Sequence, residues 1–179
     1  YDAAGNRDMV PHDAFGVMGG LRLLIKGASG MDPYIDISGW ALSGDEGDIH
    51  EKNRDFFSME SNNSTLIMES SWGLDIDCNY WAIKGEIGTK LPKPADNVKL
   101  VVVMGYFNLL QVPAAWIGTN MEDNKQLGWE IDVRFVWTVA ENVDLFLGWG
   151  SLNDAFFFKD MFNTNNSVNM AAGGITAKF

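Results

Sequence analysis

The sequence predicts an all-β protein: about seven strands forming the C-terminal portion of a larger antiparallel transmembrane β-barrel. Three observations carry this. Side chains alternate apolar and polar along long runs. The connections between those runs alternate short and long. The composition suits an aromatic-rich sheet: 179 residues with 19 Gly, seven Trp and eleven Phe but only five Pro. The length suits one domain, spanning 1–179. The polar stretch Tyr1–Asp13 reads as an external loop rather than a signal peptide, with strands following over 14–179.

The first run, Val17–Gly27, sets Val17, Leu21, Leu23 and Ile25 against Arg22 and Lys26. A turn at Ala28–Asp32 leads to Pro33–Ser43, where Ile35 and Ile37 alternate with Asp36 and Ser38. Trp81–Thr89 opposes Trp81, Ile83 and Ile87 to Lys84 and Glu86. A Pro-containing turn then precedes Val98–Leu110, which is nearly apolar on both faces apart from Lys99 and Asn108.

The clearest run is Leu127–Val139. Its odd positions are Leu127, Trp129, Ile131, Val133, Phe135, Trp137 and Val139, and its even positions include Glu130, Asp132 and Arg134. A helix would scatter these aromatics around its cylinder, whereas a strand gathers them on one face. The run outlasts an ordinary strand of about five or six residues and suits a tilted bilayer-crossing strand of about nine to eleven. A polar turn leads into Val143–Leu152, and Val168–Phe179 is a last, Gly-rich strand. Thr65–Cys78 could hide another strand, because Trp72, Leu74, Ile76 and Cys78 alternate with Gly73, Asp75 and Asp77. Its phase differs from that at Trp81, so a bulge near Asn79 would be needed.

Connections after Gly27, Thr89 and Val139 are short, while those after Ser43, Leu110 and Leu152 are long and rich in Asp, Glu and Asn. Short periplasmic turns and long external loops are the outer-membrane barrel pattern. Bacterial single-chain barrels have even strand numbers, so an odd count favours a portion of a larger barrel. Val101–Met121 is long enough for a membrane helix, but Asn108, Gln111, Pro113 and Asn120 interrupt it.

With the apolar rows turned to lipid, the lumen-facing charges are Arg22, Lys26, Lys84, Lys99, Arg134 and Lys178 against Asp36, Glu86, Glu130, Asp132 and Asp144. A polyanion-selective pore needs a clear positive excess, and this near-balance does not supply one. Cross-strand pairing is the simpler role. Trp81, Phe107, Trp129, Trp137, Trp149 and Phe179 are expected as a membrane girdle, where an aromatic ring is half wetted.

The net charge of −11 excludes a nucleic-acid partner held by a basic stripe. The single cysteine, Cys78, excludes an intramolecular disulfide framework or a multi-cysteine metal site. Asp45, Glu46, Asp48 and His50 lack the spacing of a calcium loop and read as a solvated acidic loop. No catalytic motif, metal site or cofactor site is legible. Glu130 and Asp132 share a strand face but read as lumen charges rather than a glycosidase pair.

Leu127-Gly-Trp-Glu-Ile-Asp-Val133, then Val143-Asp-Leu145 and Asn153-Asp-Ala-Phe156, resembles the last strands of the alginate-export family of outer-membrane porins. Pro33-Tyr-Ile-Asp36 running into Ser43-Gly-Asp45, with Phe56-Phe57, resembles an upstream strand and external loop of that family. Gly174-Ile-Thr-Ala-Lys-Phe179 resembles the C-terminal signal by which such barrels are recognised for insertion. The likeness runs from about Gly16 to Phe179. Departures are Asn153, where the family usually has Gly, and the weakly apolar Ala177. The resemblance implies a porin or export channel of the bacterial outer membrane, passing solutes or anionic polysaccharide by passive diffusion. Its partners would be outer-membrane lipid, lipopolysaccharide and, through the last strand, the barrel-assembly machinery. The competing expectation is a soluble β-barrel or sandwich that binds a small apolar ligand, with the aromatics filling its core.

Overall fold

The computed structural model describes residues 14–26, 30–44, 65–71, 79–112, 125–154 and 167–177. These form seven strands: β1 (Gly16–Leu24), β2 (Tyr34–Leu42), β3 (Tyr80–Lys90), β4 (Val98–Leu109), β5 (Gln126–Ala140), β6 (Val143–Asn153) and β7 (Val168–Ala177). They lie in sequence order in one antiparallel sheet. The sheet is open, with β1 paired to β2 and β7 to β6 at its two edges.

The period-two pattern settles which side chains share a face. Register pairs such as Arg22↔Asp36, Asp36↔Glu86, Lys84↔Gly105, Gly105↔Glu130 and Asp132↔Gly150 line up one charged face. The opposite face carries Ile37↔Gly85, Met104↔Ile131, Val133↔Trp149 and Leu145↔Ile175. We call these the inner and outer faces. The outer face stays apolar across all seven strands, and its side chains are solvent-exposed: Ile37 at 53 %, Leu147 at 65 % and Ile175 at 71 %.

The short turns are closed by backbone bonds. Ile25 N–H donates to the Pro33 carbonyl, Lys90 N–H to that of Met31, Leu91 N–H to that of Val98, and Thr138 N–H to that of Asn97. Asp32 enters its turn at a left-handed φ of 43°.

Within Thr65–Cys78, the described residues Leu66–Ser71 form a single π-helical turn, and the further strand expected over Trp72, Leu74, Ile76 and Cys78 falls outside the described residues. The turn folds onto the inner face. Glycines on that face make room for it. A Cβ on Gly148 would come within 2.9 Å of Leu66 Cδ1, and one on Gly150 would meet the Asp132 carboxylate and Ile67. The turn's Leu66, Ile67 and Met68 join Leu42, Tyr80, Ala82, Phe107, Leu109, Leu127 and Leu152 in the buried core. This core lies at the end of the strands where the long connections emerge.

Two expected positions change face. Phe107 is not a girdle residue: it shares the parity of Lys99, points inward and is 1 % exposed. Its ring fills space left by Gly105, where a Cβ would be 2.6 Å from Phe107 Cε2. Leu127 leaves the outer row because the β4–β5 register shifts between Phe107 and Asn108, with Gly128 at φ 122°. This bulge turns Leu127 into the core at 4 % exposure. Asn79, just before β3, has a left-handed φ of 60°. Its side-chain amide pairs with the backbone of Gln111 in both directions.

Candidate functional site

The inner face divides into two clusters. Nearer the short turns, Arg22 Nε donates to Asp36 Oδ2 at 2.8 Å. The Tyr34 ring sits between two cations, with Arg22 Cζ 5.1 Å and Lys99 Nζ 4.5 Å from its centroid. Its hydroxyl donates to Glu86 Oε1. Gly88 faces Tyr34 in the register, and a Cβ there would overlap the ring. Thr138 Oγ1 donates to Asp144 Oδ1 at 2.7 Å. These groups are partly wet, so each ion pair adds at most about 1 kcal/mol.

The second cluster holds the inward turn. Glu130 accepts the backbone N–H of Ile67 at 2.6 Å and of Met68 at 2.8 Å, one on each oxygen. Asp132 Oδ2 accepts the N–H of Leu66 at 2.9 Å. Both carboxylates are 0 % exposed. A turn cut loose from regular ladders leaves backbone donors that must find acceptors once buried, and these two side chains provide them. Charge-assisted bonds of this kind contribute about 1.5–3 kcal/mol each.

Glu69 closes the turn from the other side. Its Oε2 accepts Thr65 N–H at 2.8 Å. Lys84 Nζ donates to both Glu69 oxygens, at 2.7 and 2.9 Å, and lies 4.1 Å from the Trp40 ring centroid. The turn therefore rests on β5, β6 and β7 and is tied by Glu69 to β3. Arg134 Nη2 approaches Asp132 Oδ2 at 3.6 Å.

The structure gathers Arg22, Asp36, Glu86 and Lys99 around Tyr34, and Lys84, Glu130, Asp132 and Arg134 around the turn. Asp144 lies beside Thr138. Lys26 stands just beyond β1, exposed, and Lys178 lies outside the described residues. Of the aromatics, Trp81 packs against Tyr106 at 5.5 Å on the outer face. Trp129 Nε1 donates to Asp154 Oδ2 at 3.0 Å. Trp137 and Trp149 are exposed on the outer face. Phe179, the 1–13 segment and the acidic stretch from Asp45 to Asp55 lie outside the described residues.

Sequence reasoning missed Tyr34, Trp40, Glu69 and the turn itself. One signal was present: Gly148 and Gly150 fall in phase with the polar positions of β6, leaving bare backbone opposite Arg134 and Asp132. Of the two adjacent carboxylates, Glu130 has both oxygens and Asp132 has one taken by backbone amides of the turn. Among the described residues no group of three or more His, Cys, Asp or Glu could hold a metal ion. No helix among them is long and apolar enough to cross a membrane, which says nothing of strands.

No protein-family model matches the chain, and neither a curated protein nor a solved structure is significantly similar to it.

Proposed function

We propose that this sheet is part of an outer-membrane β-barrel, with its outer face against acyl chains and its charged inner face lining a passage for solutes. The observation that carries the reading is the opposition of the two faces. Large apolar side chains stand exposed on the outer face of every strand from β1 to β7, while ion pairs, buried carboxylates and the buried core occupy the inner face, where among the described residues only β1 exposes large apolar side chains, Met18 and Leu24. A water-soluble monomer rarely exposes a contiguous apolar patch above a few hundred Å². Strands alternating lipid-facing with lumen-facing residues are what a membrane barrel requires.

The resemblance to alginate-export porins belongs to this proposal and names a family in which such strands occur. The described inner face does not favour an anionic polysaccharide, since the cations Arg22, Lys84, Lys99 and Arg134 are outnumbered by the carboxylates Asp36, Glu69, Glu86, Glu130, Asp132 and Asp144, with Arg22 paired to Asp36, Lys84 to Glu69 and Arg134 to Asp132. Small hydrophilic solutes moving by diffusion fit this balance better. Lipid and lipopolysaccharide would contact the outer face, and the barrel-assembly machinery would contact the last strand.

The test is to express the protein with a secretion signal and fractionate the cells. The protein should stay with outer membranes until detergent is added, and the detergent-purified protein should give steps of conductance in a planar bilayer. Recovery in the supernatant without detergent would sink the reading and favour a soluble fold that binds an apolar ligand.

A further inference from the structure

We propose that Phe146 fixes the register of β7, with Gly174 as the one seat its ring can take on that strand. The inference concerns strand pairing and stands apart from the passage reading.

Several features leave β7 free to slide. It is an edge strand, paired with β6 alone. It reaches β6 through residues 154–167, so no tight turn sets the alignment, whereas β5 and β6 meet across residues 141–142 only. Each of its faces is also nearly uniform, with Val168, Met170 and Ala172 inward and Ala171 and Gly173 outward. A slip of one residue would turn every side chain to the wrong face, and the opposition of faces forbids it. A slip of two keeps both faces, because side chains repeat with period two, and so only particular side-chain fits oppose it.

Phe146 supplies such a fit. It faces Gly174 across the ladder, and its ring covers the bare glycine. A Cβ there would lie 2.5 Å from Phe146 Cε1 and 3.0 Å from Cζ, too close for a packed ring to accept without moving. Along the inward row of β7, Val168, Met170, Ala172, Gly174 and Thr176, every other position carries a Cβ. A slip of two would bring Ala172 or Thr176 under the ring. The neighbouring inward pairs discriminate less. Gly148 and Gly150, opposite Ala172 and Met170, offer no side chain to select a partner. Leu152 faces Val168 and would face another apolar residue, Met170, after a slip in one direction. Asp144, opposite Thr176, is bound by Thr138 of β5. A slip of two would carry Ala177 about 7 Å along the strand. On the barrel reading, that is the end of the strand that meets the assembly machinery.

The experiment traps the register as a disulfide in the full chain, folded in detergent micelles in a Cys78→Ser background. Trp149→Cys is combined in turn with Ala171→Cys, its partner in the ladder, and with Asn169→Cys and Gly173→Cys, its diagonal neighbours. Opposed cysteines can bridge under a mild oxidant, whereas diagonal ones lie about 7–8 Å apart and cannot without backbone movement. With Phe146 in place, the Ala171→Cys pair should bridge and the diagonal pairs should stay reduced. Phe146→Ala should raise diagonal bridging severalfold, and Phe146→Tyr, which keeps the ring, should not. The sharpest variant moves the seat by two positions: Ala172→Gly/Gly174→Ala should transfer bridging from Ala171→Cys to Asn169→Cys. Bridging that stays with Ala171→Cys in Phe146→Ala, or in a folded seat-moved chain, would overturn the lock. Ready diagonal bridging with Phe146 and Gly174 both intact would also overturn it. Should the seat-moved chain fail to fold, Phe146→Ala decides the matter. None of these readouts depends on conductance, so failure of the passage reading would leave the result standing.

Discussion

At the scale of single residues, the inner cluster makes demands that composition cannot reveal. Lys84 is almost fully buried, with its side chain 5 % exposed and that of Glu69 11 % exposed. Removing one member of such a pair costs far more than replacing both, because a buried charge is left without its counterion. Lys84→Met should therefore destabilise the fold by about 3–5 kcal/mol. The double variant Lys84→Met/Glu69→Leu should recover a substantial part of that loss, except for the bond to Thr65 N–H. Urea unfolding in detergent micelles, followed by tryptophan fluorescence, would measure both. Phe107 offers a second check by the same method. As a ring sealed in the core, its change to Ala should cost about 3–5 kcal/mol.

At the scale of elements, alternation was the legible signal. The seven runs read from the sequence overlap the seven strands observed, and most boundaries differ only slightly. The final strand ends at Ala177 among the described residues. Alternation reports which residues share a face, and it reads well where each face meets a uniform surrounding. It faltered where a face meets something particular. Phe107 faces inward by its parity and Leu127 by the bulge, and both fit there as apolar residues because the turn brings an apolar lining with it. The turn itself has no period, being held by side chains of β5 far along the chain, so nothing local announced it. One element-scale substitution separates the membrane reading from a soluble one. Leu147 is in the middle of β6 on the outer face. In a bilayer, Leu147→Arg should weaken folding by about 2–4 kcal/mol, falling off for positions nearer the strand ends. At an exposed site in water the same change should stay within about 0.5 kcal/mol. Equilibrium unfolding in lipid vesicles reads the difference.

At the scale of the whole molecule, each strand contributes to one two-sided sheet, and the faces differ in what they tolerate. Acceptance of charge by the inner row and refusal of it by the outer row should hold from β1 to β7. In vesicles, Lys84, Lys99 and Arg134 should resist added trypsin, since their strands are paired on both sides. Mass mapping of the digest checks this, and prompt cleavage at those three sites would count against an inserted sheet.

The bond from Glu69 to Lys84 has a mechanical consequence. It joins the β5-bound turn to β3 over the top of β4, so neighbouring ribbons do not come apart independently. Pulled from the β1 side, β1 and β2 should unzip at low force, because ladder bonds yield one after another. At β3 the load passes through the turn into the β5 carboxylates, and the remaining five strands should hold until they rupture together. A force–extension trace would then show two small steps before one tall peak, and Lys84→Met would divide that peak.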